Sequence, residues 1–259
     1  MQDRYAGDVG DFLKLLTLRA LISSKDVSPG LSLGVVWYRT TTEESNADGK
    51  HIAYLTRTTT RDRMLCELDD ELAGCLLPVA HADPRSVADL QRCGALPSNT
   101  LYHEEALTWE GLRPFERSAR LKRRADWLTD ALTRTAGADL VFLDPDNGIR
   151  PSAHRQPRTR RSAVKHAYLD EVARFVERGQ SVVVYHHAGR IGSVEEQVEM
   201  LTDLIESEIG VRPTCAIRAS RGTVRLFVVV AQPHHQAVLR HRAASLDGLG
   251  GPQTLRVYF

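Results

Sequence analysis

The chain has 259 residues, 42% of them hydrophobic, which is ample to bury one large core. A formal net charge of +1 with 26% charged residues excludes a strongly basic polyanion-binding tail and an acidic disordered chain. Any affinity for polyanions must therefore come from local clusters of charge.

The N-terminal stretch MQDRYAGDVGDFLKLL carries acidic residues and lacks the basic-then-apolar order of a signal peptide. No apolar run approaches the roughly 18 residues of a membrane span, so the expectation is a cytoplasmic protein with no membrane partner. Residues 11–23 (DFLKLLTLRALIS) show helical recurrence, with Asp8 or Gly10 as the start. Pro29-Gly30 then punctuates the chain before LSLGVVWY (31–38), whose β-branched and aromatic content is that of a buried strand. Residues 39–50 are polar and long for a connection inside a compact domain, which favours a ligand-contacting loop.

From about 56 to 115, short amphipathic stretches broken by Pro78, Pro84 and Pro97 read as a helical insertion with too little apolar content for its own core. Next come a helix at 116–135, a strand at 139–143 (DLVFL), a helix at 163–177 and a strand at 181–185 (SVVVY). Such alternation of helices with wholly apolar strands predicts a parallel sheet covered on both faces. A helix at 194–208, an antiparallel hairpin with Arg221-Gly222 at its turn that is expected to close the sheet, a helix at 234–244 and a strand QTLRVYF finish the chain. The expected fold is one α/β domain over 1–259: Rossmann-like, with a mostly parallel sheet, a C-terminal antiparallel hairpin and the helical insertion. Cys66, Cys75, Cys93 and Cys215 have no CxxC spacing and read as structural thiols.

The strongest chemical signal is VFLDPDNG (141–148), which delivers Asp144, Pro145, Asp146 and Asn147 at the carboxyl end of a strand, where open α/β sheets bind ligands. Tyr185-His186-His187-Ala188-Gly189-Arg190 follows the next strand, and two histidines facing a carboxylate pair suit metal binding or proton movement. In the N-terminal run, Tyr5, Asp8, Asp11 and Lys14 surround a helix start, with Asp11 and Lys14 on one helix face. Asp48-Gly49-Lys50-His51 supplies a cation and a proton carrier but is no P-loop. Finally, residues 150–165 hold Arg150, Arg155, Arg158, Arg160, Arg161 and Lys165 with no acid, and Arg117, Arg120, Lys122, Arg123 and Arg124 form a second cluster. Basic runs beside a candidate site are what binding of a nucleic acid or nucleotide needs.

Together these residues resemble the class I S-adenosylmethionine-dependent methyltransferase fold, and within it the large-subunit rRNA adenine-N6 methyltransferases. Tyr5, Ala6, Gly7, Asp11 and Lys14 look like that family's N-terminal run into a first helix. Asp144 and Pro145 are similar to the first two positions of its Asp-Pro-Pro-Tyr motif, and Arg221-Gly222 echoes its late hairpin. The chain departs from the family in having no glycine-rich turn after its first strand, and Asp146 and Asn147 stand where the motif has Pro and an aromatic residue.

The resemblance implies methyl transfer to nucleic acid. Asp144, Asp146, His186, His187 and Lys14 are then the catalytic candidates. Tyr5, Asp8, Asp11, Lys50 and His51 would hold the cofactor, and Asn147, Arg158, Arg160, Arg161 and Arg190 the substrate. The alternative from the residues themselves is a metal-dependent nuclease or phosphoesterase using Mg²⁺ or Mn²⁺ at Asp144, Asp146 and a histidine, since adjacent carboxylates attract a divalent ion. A non-catalytic nucleic-acid-binding module is the third reading.

Overall fold

The computed structural model describes residues 1–23, 29–40, 51–251 and 253–259. The side chain of Asp8 accepts the amide of Asp11 at 3.0 Å and so fixes the start of the first helix, α1 (Val9–Ile22). Most faces of α1 are buried, as in a helix enclosed by its neighbours rather than lying on a surface. There follow β1 (Leu33–Val36), α2 (Thr60–Cys66), α3 (Asp70–His81), α4 (Val87–Arg92) and β2 (Leu101–His103). The middle of the chain comprises α5 (Arg117–Arg134), β3 (Leu140–Leu143), β4 (Gly148–Arg150), a 3-10 turn (Arg161–Lys165), β5 (His166–Tyr168) and α6 (Leu169–Glu177). The last part holds β6 (Ser181–His187), α7 (Val194–Ile209), β7 (Cys215–Arg221), β8 (Thr223–Val230), α8 (Pro233–Ala244) and β9 (Leu255–Tyr258).

The central sheet has the order β2-β1-β3-β6-β8-β7-β9. Neighbours from β2 to β6 are parallel, β8 runs against both β6 and β7, and β9 runs against β7. The protein is thus α/β with a mostly parallel central sheet. Strand alternation divides the core into two layers. Val35, Phe142 and Val183 pack with Phe12, Leu13 and Leu239 on the α1 and α8 face. Val36, Leu143 and Val184 pack with Leu128, Val172 and Leu201 on the face of α5, α6 and α7. Among the described residues, no helix is long and apolar enough to cross a membrane.

Four sequence expectations need correction. The stretch 56–115 is not wholly helical, because β2 lies within it and pairs with β1 as the sheet's edge. The helix expected at 163–177 begins only at Leu169; its first part is the 3-10 turn and β5, which pairs with β4 in a separate two-stranded sheet. The strand expected to end at Tyr185 runs on to His187. The late hairpin, β7 with β8, does not close the sheet, because β9 adds beyond it. Of the polar loop at 39–50, only Arg39 and Thr40 fall among the described residues.

Candidate functional site

Register brings three strand ends together. Val36 pairs with Leu143 and Leu143 with Val184, so Trp37, Asp144 and Tyr185 leave the sheet along one edge. Asp144 extends the ladder by donating its amide to the Val36 carbonyl at 3.1 Å. Being one residue past Leu143, its side chain turns to the α1 face, where Lys14 waits.

Lys14 is 4% exposed and donates to Asp11 Oδ1 at 2.9 Å and to Asp144 Oδ2 at 2.8 Å. Its ammonium also lies 5.4 Å from the Trp37 ring and 6.0 Å from that of Tyr185. Burial by itself would lower the Lys14 pKa, but the two carboxylates outweigh it and hold the ammonium above the ordinary lysine value. Both acids move upward as well, chiefly through burial, with Lys14 pulling the other way. The directions agree with a charge count: one cation between two ionised carboxylates leaves one negative charge uncompensated, which favours uptake of a proton or of a cationic ligand. Among the described residues no hydrogen bond falls on Asp144 Oδ1. Asp11 Oδ2 is taken by the Gly7 amide at 3.1 Å, so Asp11 is the anchored member and Asp144 the available one.

The N-terminal segment folds over the edge. Gly7 has φ +80°, and a Cβ there would stand 2.9–3.0 Å from Ala80, so only glycine lets the segment lie against α3. The Met1 ammonium meets Asp146 Oδ1 at 2.7 Å and the Tyr38 carbonyl at 2.7 Å, while Gln2 Nε2 donates to Asp146 Oδ2 at 3.1 Å. Burial alone would raise the Asp146 pKa, but these partners outweigh it and lower it.

A cavity of about 620 Å³ opens over this edge. Of the expected residues, Tyr5, Asp8, Asp11, Lys14, His51, Asp144, Asp146, Asn147 and His187 line it. Lys50 lies outside the described residues. His186 does not join them: on a strand, successive side chains face opposite ways, and it turns from the cavity toward β4. There its Nδ1 accepts the Ile149 amide at 3.1 Å, and burial, with His187 adding to it, lowers its pKa to about 4. Gly148, at φ +97°, makes room for that ring, since a Cβ would come within 2.6 Å of it. His187 remains at the rim, its pKa lowered first by burial and then by Arg225.

The expected substrate residues divide. Arg158 is committed internally, donating to Asp170 Oδ1 at 2.6 Å and lying over the Tyr168 ring at 4.3 Å. Arg160 and Arg161 line a second cavity, and Arg190 lines neither. Sequence reasoning did not place Lys165, Thr223 or Arg225 at the first cavity, where the structure brings them. The two residues from the hairpin arrive through the pairing of His187 with Arg225, which no local pattern encodes. Among the described residues, no group of three or more His, Cys, Asp or Glu side chains is disposed to hold a metal ion.

No family model matches the chain, and no curated protein matches it. One solved structure is similar: protein LPL1258 from Legionella pneumophila str. Philadelphia 1, assigned to the family model DUF519. The TM-score is 0.43 at 11% identity, over 98% of this chain and 97% of that one. A likeness at that level is too distant to bear on function.

Proposed function

We propose that this chain is a Rossmann-like, S-adenosylmethionine-dependent methyltransferase acting on an amino group of nucleic acid. The observation that carries the reading is Asp144: a buried carboxylate at the end of a central strand, fixed on one oxygen by Lys14, with no hydrogen-bond partner on the other among the described residues, at the wall of a ligand-sized cavity. Its position supports the reading too. The chain steps from β1 outward to β2 and then back across to β3, so strand order reverses between β1 and β3, and ligands of open α/β sheets bind at such reversals. The hairpin expected from the resemblance, with Gly222 at its turn, also borders the cavity.

The side chains fit the cofactor by charge. Asp11, Lys14 and Asp144 carry an uncompensated negative charge suited to a sulfonium, Arg225 and His51 suit a carboxylate, and Tyr5 and Tyr185 offer ring surface. When bound, S-adenosylmethionine supplies an electrophilic methyl group. Asp144 Oδ1 accepts an N–H of the target amino group and turns the nitrogen lone pair away from ring conjugation. Lys14 fixes the orientation of Asp144. The raised pKa of Asp144 suits it to take the proton that the amine gives up.

The metal-dependent hydrolase draws less support from this geometry. It asks Asp144 and Asp146 to share an ion with a histidine, whereas each carboxylate faces a different protein cation and His186 turns to β4.

The test pairs calorimetric titration of S-adenosylmethionine with transfer of its labelled methyl group to single-stranded RNA and DNA. Asp144→Asn is expected to keep cofactor affinity within a few-fold and to lose transfer by about 10²-fold or more, the scale of a lost acid–base group. Full transfer by Asp144→Asn, or no cofactor binding by the wild-type protein, would overturn the reading.

A further inference from the structure

The two basic runs of the sequence meet at a second cavity of about 990 Å³. Its walls are the start of α5, the loop before it and residues 157–164, and they present Trp109, Arg117, Arg120, Arg160 and Arg161. Among the described residues, Glu110 is the one acid lining it. Arg117, Arg160 and Arg161 are exposed, and among the described residues none of them forms an ion pair.

Arg120 gives the independent sign of a ligand. It is 7% exposed and has no carboxylate partner among the described residues. Its terminal nitrogens donate to the carbonyls of Thr159 at 2.7 Å and Leu112 at 2.8 Å, it lies 5.7 Å from the Trp109 ring, and its Nε has no partner among the described residues. A buried guanidinium without an anion is costly, and the arriving ligand is what would supply one. The helix itself points the same way. Helix starts favour acids, yet α5 opens with RSARLKRR and has no acid in its first turn; Glu116 at its N-cap caps no helix amide, its carboxylate accepting the Arg113 amide at 2.6 Å instead. Cations are gathered at the positive end of the helix dipole, an arrangement that an anion stabilises.

The second cavity abuts the first. Val164 lines one and Lys165 the other, so a single 3-10 turn, with neighbouring Cα atoms about 3.8 Å apart, divides them. Arg124 fixes that wall by donating to the carbonyls of Ala163 at 2.9 Å and His166 at 2.7 Å. We infer that the second cavity seats backbone phosphates of a single-stranded nucleic acid, one of whose bases enters the first cavity. A base reaching a recessed site must be out of the duplex, which selects single strands. The assignment of the first cavity to a base rests on the methyl-transfer reading; the phosphate seat rests on the arginines.

The test is fluorescence anisotropy of labelled single-stranded RNA and DNA across a salt series, without cofactor. Arg117→Ala combined with Arg161→Ala, both at exposed positions, is expected to weaken binding at least tenfold and to reduce the slope of log affinity against log salt by about 1.4, two phosphates at about 0.7 each. Arg134→Ala, at the other end of α5, should leave both unchanged. Absence of strand binding by the wild-type protein, or an unchanged slope in the double variant, overturns the inference. Arginine-dependent binding without methyl transfer would sink the methyl-transfer reading alone, and transfer with an unaltered slope in the double variant would sink the phosphate seat alone.

Discussion

Lys14 is the residue on which the site turns. A single ammonium stands between two carboxylates that are each almost wholly buried, and removing it strands both. Breaking a buried pair by deleting one partner typically costs about 3–5 kcal/mol, so Lys14→Met should lower the urea midpoint clearly. The deficit should also depend on pH in a definite direction. Asp11 and Asp144 have folded-state pKa values raised above their unfolded ones. For such acids the protonated form is favoured in the fold, so their contribution is present at low pH and is lost as pH rises through the folded value. Without Lys14 those values rise further, and the deficit of Lys14→Met should be larger at roughly pH 8 than at pH 4. Equal deficits at both would show that the acids are not what Lys14 balances. The Asp11–Lys14 half of this trio was legible in the sequence as an i,i+3 pair on a helix. Asp144 was legible as a strand-end carboxylate, but not as the partner of Lys14, because 130 residues separate them and only the sheet register joins them.

Among the elements, the segment from the 3-10 turn through β5 shows how a short irregular stretch is held. Arg124 on α5 makes a two-pronged contact with Glu171 on α6, at 2.5 and 2.8 Å, and donates to two carbonyls of the segment between them. Both partners are buried, so Arg124→Met leaves the Glu171 carboxylate with only Arg158 at 3.8 Å and the Tyr168 amide at 3.3 Å, at a cost of up to about 3–5 kcal/mol. The segment should then open locally, and trypsin should cut at Arg160 and Arg161 several-fold faster than in the wild-type protein. Unchanged cleavage would mean that the segment holds without its anchor. This region was the least readable part of the chain, and the reason is length. The strands β2, β4 and β5 have three residues each, too few to show alternation. Helices α1, α5 and α7, by contrast, carry several turns of periodic apolar residues, and their limits were read to within two residues. The histidine pair was misjudged for a related reason: ending the strand at Tyr185 hid the alternation that sends His186 and His187 to opposite faces.

At the scale of the whole molecule, three histidines are held neutral toward the α5 and α6 side. His103 ends β2 against Trp127, with ring centroids 4.9 Å apart; His166 opens β5; and His186 serves β4. Burial lowers the pKa of His103 to about 4, that of His166 to about 3 and that of His186 to about 4. A histidine whose folded pKa is depressed contributes stability that is present above the unfolded value of about 6.5 and is lost as pH falls through the folded value. Unfolding in this window takes up a proton at each of these rings, worth about 1.4 kcal/mol per pH unit apiece, and His187 and His235, also lowered by burial, add to the uptake. The raised carboxylates Asp11 and Asp144 oppose this, since they bind protons more readily in the fold, while the lowered Asp146 adds to it. Urea midpoints measured from about pH 7 down to pH 4.5 should therefore decline steadily. His103→Gln should flatten the decline by up to one proton's worth; Asp130 Oδ2, 3.3 Å from the ring Nε2, opposes the burial that lowers the His103 pKa but does not outweigh it. A wild-type profile flat across that range would mean that the three rings are protonated in place, and that the edge beside the two cavities carries positive charge of its own.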